Sequence, residues 1–262
     1  MSNTLSKQDV STSSGTSLRA GGILALAYGA LSYTVFLVAF LYAIGFVGNL
    51  VVPKTIDSGT EGFLAEALIV NVLLLGAFAF QHSVMARPGF KKWWTKIIPK
   101  SIERSTFVLL ASLLLLLLYW QWRPITTQVW GVENAAGQTL LRSLYFLGWL
   151  IVFFGTFMIN HFDLFGLRQV YLNLRNREYT DLGFRISGFY KFVRHPIMLG
   201  FLIAFWATPV MTVGHLLFTV ATTGYILIAL QLEERDLVNH FGEQYQEYRR
   251  KTSMLMPRMP KR

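Results

Sequence analysis

The stretch IMLGFLIAFWATPVMTVGHLLFTVATTGYILIALQL, residues 197–232, contains no Lys, Arg, Asp or Glu. As one straight helix it would be about 54 Å long, nearly twice the roughly 30 Å thickness of a bilayer core. It is therefore predicted to fold back on itself. Thr208 and Pro209 mark the reversal, because proline lacks a backbone donor and clashes with the preceding helical turn.

Polar residues flank this predicted hairpin at both ends. Arg194 and His195 precede it, and Glu233 and Glu234 follow it. Because a hairpin returns its two ends to one membrane surface, we expect these groups to face each other. Ionisable groups gathered at a membrane boundary indicate a functional site.

The composition is that of an integral membrane protein. Hydrophobic residues make up 53% of the 262 residues and charged residues only 15%, which is not a soluble profile. Further apolar segments of membrane-spanning length cover residues 21–51, 63–85, 105–122 and 139–161. The sequence therefore predicts an all-α polytopic membrane helical bundle, with four spans followed by a C-terminal helical hairpin.

The net charge of +10 is distributed as in a membrane protein, so we expect no nucleic-acid partner. Cations concentrate in residues 87–104, in residues 168–194 and in the tail from Arg249. The connections at 52–62 and 123–138 carry only Lys54 and Arg123 as cations. The positive-inside rule then predicts that both termini and the two polar clusters lie on the cytoplasmic side.

Several familiar kinds of site are excluded. The chain has no cysteine, which rules out disulfides, thiolate metal ligands and a cysteine nucleophile. It has no Gly-x-Gly-x-x-Gly motif, no P-loop and no His-Glu-x-x-His motif. We predict no metal site, and any cofactor must be held in another way.

The residues around the hairpin carry a family resemblance. The ordered motifs are GFYKFVRHPIMLG at 188–200, EERDL at 233–237 and FGEQYQEY at 241–248. This set resembles the membrane methyltransferases related to isoprenylcysteine carboxyl methyltransferase and the phospholipid methyltransferases. In that family an Arg-His-Pro motif, a Glu-Glu pair and a Tyr-x-x-Tyr tail enclose S-adenosylmethionine at the cytoplasmic face.

Upstream motifs narrow the resemblance. They are QHSVMAR at 81–87, ERS at 103–105 and NHFDLFGLRQ at 160–169. They are similar to the bacterial methanethiol S-methyltransferases and their relatives of the NnrU-like group, so the likeness extends from about Gly21 to Tyr248. It implies methylation of methanethiol to dimethyl sulfide with S-adenosylmethionine, in a bacterial inner membrane.

The resemblance also implies a domain organisation and a set of cofactor contacts. The Ser- and Thr-rich opening separately predicts a disordered tail at 1–20. The resemblance implies a methyltransferase domain at 21–248 with its cofactor-binding part at 160–250, and a basic tail follows at 249–262. Met198 is a departure, because relatives often have tyrosine there. The implied cofactor contacts are Leu182, Gly183, Phe184, Arg185, Tyr190, His195, Pro196, Ile197, Met198 and Glu233.

The chemistry of S-adenosylmethionine suits these residues. Glu233 or Glu234 can accept from its ammonium, while Arg194 and His195 can hold its carboxylate. Tyr190 can pack on adenine or face the sulfonium. In addition, Pro196 would open a helix whose free N–H groups can receive a carboxylate.

Fewer residues indicate where the thiol that accepts the methyl group would bind. The nucleophile is a thiolate, so a base or a nearby cation would help at neutral pH. We propose His161 or His82 as the base and Arg87 or Arg168 as the cation. On sequence alone, histidines at such positions are more often hydrogen-bonded structural residues.

Other functions remain open on the sequence alone. The same fold could methylate a lipid-like or prenylated substrate. Membrane sterol or enone reductases carry an Arg-His motif and bind NADPH, although the Glu pair followed by Phe-Gly-Glu-x-Tyr favours a methyl donor. A haem-binding or nitrogen-oxide function would require paired haem ligands within the spans, whereas His82 and His161 lie near span ends.

Overall fold

The computed structural model describes residues 11–256, with side chains from residue 20 onward. Two short strands pair with each other, and the other regular elements of this part of the chain are helical. The helices are α1 (Ser11–Gly48), α2 (Leu64–Ala86), α3 (Pro88–Trp94), α4 (Lys100–Gln121), α5 (Ala135–Ile159), α6 (His161–Leu164), α7 (Leu167–Leu174), α8 (Pro196–Trp206), α9 (Val213–Phe241) and α10 (Glu243–Lys251). The strands are β1 (Gln128–Gly131) and β2 (Val210–Thr212), and a short 3-10 helix covers Gly188–Lys191.

Five helices are long and apolar enough to cross a membrane: α1 from Ala20, α2, α4, α5 and α9. Large apolar side chains on their outer faces are exposed, such as Leu73 on α2 and Phe154 on α5. A soluble protein would bury such side chains, whereas lipid chains can cover them. The predicted all-α bundle of four spans and a final hairpin is confirmed, and the chain is an integral membrane protein.

The final hairpin has two unequal legs. α8 contains 11 residues, whereas α9 contains 29. Thr208 and Pro209 lie at the reversal, as predicted, and β2 then pairs antiparallel with β1. A helix of 11 residues covers only about 16 Å. The extended segment 207–212 therefore forms the rest of this leg. As a result, the start of α8 lies beside the last turns of α9.

Glycines allow α8 to pack closely on α5. A Cβ atom added at Gly200 would lie 2.6 Å from the carbonyl oxygen of Gly148, and a Cβ at Gly148 would lie 2.6 Å from the carbonyl oxygen of Gly200. Only glycine fits such an approach, a common device in membrane helix packing. This contact positions α8, and therefore also the Arg-His-Pro motif at its start.

A second close contact positions the short helices after α5. Gly166, with φ +88°, lies against Ser105 of α4, and a Cβ there would be 2.7 Å from the Ser105 backbone nitrogen. Val170 of α7 is fully buried and packs on Gly29 of α1. α6 and its His161 are thereby held against α1.

The predicted domain boundaries stay a prediction. Helix α1 begins at Ser11, and residues 1–10 and 257–262, within the two expected tails, lie outside the described residues. Helix α10 continues to Lys251, past the predicted boundary at 248/249. After it, Ser253 forms a parallel bridge with Val193, so this segment contacts the start of the hairpin.

Candidate functional site

Glu234 is the centre of a buried ion-pair cluster. Its Oε1 accepts from Arg194 Nε at 2.6 Å and lies 3.1 Å from His195 Nε2. Its Oε2 lies 3.2 Å from Arg249 Nε. The two ends of the hairpin therefore face each other, and Glu234 is fully occupied by protein groups. A buried carboxylate needs such partners, because an unpaired buried charge is costly.

Glu233 is its neighbour in sequence but differs in environment. Its side chain is 49% exposed, and its Oε2 lies 3.9 Å from His195 Nδ1. His195 is the one basic side chain within 4.0 Å of the Glu233 carboxylate among residues 20–256. This carboxylate is therefore available to a cationic ligand, whereas that of Glu234 is not.

The first turn of α8 offers backbone donors. Pro196 is the first helical residue, and the side chain of His195 does not cap the helix. The N–H groups of Ile197 and Met198 fall among those that a helix start leaves without an intrahelical acceptor. Ile197 and Met198 are half-buried. This turn can therefore receive an anionic group.

The C-terminal segment holds the Arg-His-Pro motif in place. The backbone nitrogens of Arg194 and His195 donate to the carbonyls of Ser253 and Met254 at 2.9 and 3.2 Å. Arg194 Nη1 also donates to the carbonyl of Thr252. Sequence reasoning missed this contact, because backbone bonds between distant segments have no residue signature.

Tyr190 lies in the short 3-10 helix that leads into the motif. Its carbonyl accepts from the hydroxyl of Tyr248 at 2.5 Å. Burial, and then the negative charge of Glu233, raise the pKa of Tyr190. Its hydroxyl therefore stays a neutral phenol close enough to Glu233 to be influenced by it.

The predicted segment 182–185 lies against α10. Phe184 is half-buried, with its ring centroid 5.3 Å from Phe241 and 5.5 Å from Tyr248. Leu182, Gly183 and Arg185 are exposed. A surface cavity of about 360 Å³ has Phe184 and Tyr248 in its wall. Only Phe184 of this segment thus joins the aromatic side of the cluster.

His161 is buried and both its ring nitrogens are engaged. The Thr156 hydroxyl donates to the Phe153 carbonyl at 2.7 Å, so its oxygen accepts from His161 Nδ1–H at 2.8 Å. Nε2 is then left to accept from the Tyr33 hydroxyl at 2.6 Å. Burial lowers the pKa of His161. Sequence reasoning missed Tyr33, which lies in an apolar span with no motif around it.

His82 has a different environment. Its ring lies among Phe107, Phe78 and Tyr225, at centroid distances of 5.0, 5.4 and 6.4 Å. Its Nδ1 and the neighbouring Gln81 Oε1 are buried without a hydrogen-bond partner within the described chain. Buried polar atoms are rarely left unpaired, so this environment suits a ligand or a proton transfer.

The two histidines lie on separate sides of an aromatic cluster. His161 contacts Phe165 at 4.8 Å, and Phe165 packs against the buried cluster that contains Phe107. His82 contacts Phe107 itself. The two histidines therefore contact different rings of this cluster.

The two cations predicted for the acceptor side are already paired. Arg87 Nη1 lies 3.1 Å from Asp236 Oδ2, and Arg168 Nη1 lies 2.9 Å from Asp163 Oδ1. The first pair joins Arg87, which follows α2, to α9, and the second joins α6 to α7. Each arginine therefore already has a carboxylate partner.

Comparison with known proteins adds to this geometry. The family model described as NnrU protein matches residues 70–257. No solved structure matches the chain.

Three relatives span nearly the whole chain. The methanethiol S-methyltransferase of Mycobacterium tuberculosis is 61% identical, covering 89% of this chain and 96% of that protein. Methanethiol S-methyltransferase 2 of Bradyrhizobium diazoefficiens is 59% identical, covering 89% and 90%. The methanethiol S-methyltransferase of Pseudomonas deceptionensis is 51% identical, covering 91% of each chain. The chain therefore belongs to the NnrU protein family, in the group that contains the methanethiol S-methyltransferases.

Proposed function

We propose that this protein is an S-adenosylmethionine-dependent S-methyltransferase that converts methanethiol to dimethyl sulfide. The observation that supports it most is the contrast within the glutamate pair. Glu234 is closed in an ion-pair cluster, while Glu233 presents a free carboxylate beside the first turn of α8. An anion beside uncapped backbone donors matches the ammonium and carboxylate of an amino-acid ligand.

The residues present fit the cofactor. Glu233 would accept from the ammonium, and the first-turn N–H groups of Ile197 and Met198 would receive the carboxylate. Tyr190 and Phe184 provide the aromatic surface for adenine or the sulfonium. Arg194 and His195 both contact the Glu234 carboxylate. The proposed role of these three residues is therefore to hold Glu233 and the first turn of α8 in position. When bound, the cofactor supplies an electrophilic methyl group.

The acceptor side is a thiol that must lose its proton. We propose that His82 accepts this proton, because its Nδ1 has no hydrogen-bond partner among the described residues. Both ring nitrogens of His161, in contrast, are already hydrogen-bonded. Bound S-adenosylmethionine would supply its methyl group to the thiolate sulfur, and its own sulfur would leave as a neutral thioether. Two opposite charges are neutralised, so a poorly hydrated aromatic site favours the step.

The relatives' names support a small thiol rather than a lipid-like acceptor. The positive-inside distribution of Lys and Arg supports a cofactor site that faces the cytoplasm, in a bacterial inner membrane. Bilayer lipid would be the other partner of the protein.

Headspace gas chromatography with mass detection tests this function. Membranes containing the protein are given methanethiol and methyl-deuterated S-adenosylmethionine, and we expect dimethyl sulfide that carries the deuterated methyl group. Membranes with Glu233→Gln should produce much less at limiting cofactor. Parallel samples receive a prenylated cysteine, or an enone with NADPH. Turnover in either of those samples, with no deuterated dimethyl sulfide, would replace our proposal with the corresponding alternative.

A further inference from the structure

Arg104 lies near the start of α4, inside the aromatic cluster of the acceptor side. Its Nε donates to the carbonyl of Leu164 at 2.7 Å, and its guanidinium carbon lies 4.9 Å from the ring centroid of Phe107. The same Phe107 ring contacts His82. Arg104 and the proposed base therefore share one aromatic neighbour.

Arg104 also differs from the other arginines of the site in having no ion pair. Across residues 20–256, no carboxylate oxygen lies within 4.0 Å of its nitrogens. Arg87, Arg168 and Arg194 each have a carboxylate partner at 3.1 Å or less. A cation at a span end without a partner is costly. Its charge is available to a ligand.

Buried polar atoms without a partner also occur on the residues adjacent in sequence to Arg104 and His82. Besides His82 Nδ1 and Gln81 Oε1, Glu103 Oε1 is buried without a hydrogen-bond partner among the described residues. Burial lowers the pKa of Lys91, and the nearby charge of Arg104 lowers it further. The charges of Glu103, Asp163 and Glu233 reach Arg104 from beyond ion-pair distance.

We propose that Arg104 is a catalytic residue that binds the sulfur of the acceptor as a thiolate, beside His82, which takes its proton. This assignment rests on the proposed function and replaces Arg87 and Arg168 as the cation of the acceptor side. The guanidinium favours the ionised thiol over the neutral one. Its Nη groups supply donors that the Leu164 contact does not use.

Binding of thiocyanate, a small soft anion, tests the assignment without turnover. Full-length protein in detergent micelles is titrated calorimetrically with thiocyanate, and competition with methanethiol is measured in the activity assay. For Arg104→Gln we expect about ten- to hundredfold weaker thiocyanate binding. We also expect a raised KM for methanethiol and an activity profile shifted to higher pH. Affinity for S-adenosylmethionine should stay unchanged.

Matched variants separate Arg104 from its rivals. Arg87→Gln and Arg168→Gln should keep thiocyanate binding, because carboxylates already use those charges. Arg142→Gln, at an exposed position of α5, controls for loss of one positive charge. Unchanged thiocyanate binding in Arg104→Gln, or its loss in Arg87→Gln or Arg168→Gln instead, would overturn the assignment.

Glu103→Gln gives a second measurement that leaves the Leu164 contact intact. Removing this nearby negative charge should tighten thiocyanate binding, and an unchanged affinity would count against the proposal even if Arg104→Gln does not fold. Failure of the proposed function looks different. Wild-type membranes would then make no dimethyl sulfide, while thiocyanate binding would still depend on Arg104.

Discussion

Glu233 and Glu234 are adjacent in sequence, yet their carboxylates have opposite roles. Glu234 is 7% exposed and is held by Arg194, His195 and Arg249, whereas Glu233 is half exposed. We expect Glu233→Gln to weaken S-adenosylmethionine binding about ten- to hundredfold with little change in stability. Glu234→Gln should instead destabilise the fold by about 3 kcal/mol, because it leaves buried cations without their carboxylate.

Calorimetric titration of the cofactor, together with thermal unfolding of the same micellar samples, separates the two effects. Glu247→Gln, at an exposed glutamate of α10, is the matched control and should change neither. If Glu233→Gln lowered the unfolding temperature as much as Glu234→Gln, Glu233 would also be structural.

The stability of the folded state depends on pH through His161, and the burial of His161 determines the direction. Burial lowers the pKa of His161 in the folded chain, whereas the pKa of a histidine in an unfolded chain is about 6.5. The unfolded chain therefore binds the proton more readily, so stability is complete above that pH and falls as pH decreases below it. Unfolding temperatures measured between about pH 7 and about pH 5 should fall less steeply in His161→Gln than in wild type. Parallel curves for the two proteins would show that another group controls the acid response.

Residue types were easier to predict from the sequence than residue environments. Motif spacing indicated His82, His161 and the glutamate pair. It could not show that Tyr33 and Thr156 engage both nitrogens of His161, or that Asp236 and Asp163 neutralise Arg87 and Arg168. Those partners lie on other elements, and pairing across the fold leaves no local pattern.

Among the helices, the close contact between α5 and α8 determines where the start of α8 lies in the site. A Cβ at Gly200 would lie 2.6 Å from the Gly148 carbonyl oxygen and 2.9 Å from the Val152 nitrogen. Backbone atoms cannot move aside, so Gly200→Ala should push α8 away and destabilise the protein by about 1–3 kcal/mol. Because α8 begins beside His195, cofactor binding should weaken as well.

Gly224→Ala is the matched control for this prediction. A Cβ at Gly224 of α9 meets no atom within 4 Å, and alanine has the higher helix propensity by about 1 kcal/mol. Thermal unfolding should therefore show a neutral or stabilising effect for Gly224→Ala. An equal loss of stability in both variants would mean that the close helix crossing is not the cause.

The final hairpin shows which elements a sequence can predict. Its reversal followed from length, because an uncharged stretch too long for one crossing must turn, and proline placed that reversal at Thr208 and Pro209. The pairing of β1 with β2, and that of Ser253 with Val193, could not be predicted. Short strands joined across long loops carry neither a hydrophobic period nor a turn signal that identifies the partner.

At the scale of the whole molecule, the arrangement separates two environments. The ion-pair cluster and Glu233 lie where charged loops meet the helix ends. His82 and Arg104 also lie near span ends, but beside the aromatic ring of Phe107. Under the proposed function, a charged cofactor would reach the site from the polar side and a small apolar thiol from the lipid side. This arrangement requires that the charged end of the bundle faces the compartment that contains S-adenosylmethionine.

The orientation of the bundle can be tested cleanly, because the chain has no native cysteine. Gly62→Cys lies in the connection between α1 and α2, and Gly89→Cys lies in the basic segment after α2. A Cβ at Gly89 meets no atom within 4 Å, and the nearest at Gly62 is 4.0 Å away. The positive-inside rule predicts that a membrane-impermeant maleimide labels Gly62→Cys in intact spheroplasts. It should label Gly89→Cys only after permeabilisation. The reverse labelling pattern would place Glu233 on the outer side, away from the cytoplasmic cofactor, and would remove the topological support for the proposed reaction.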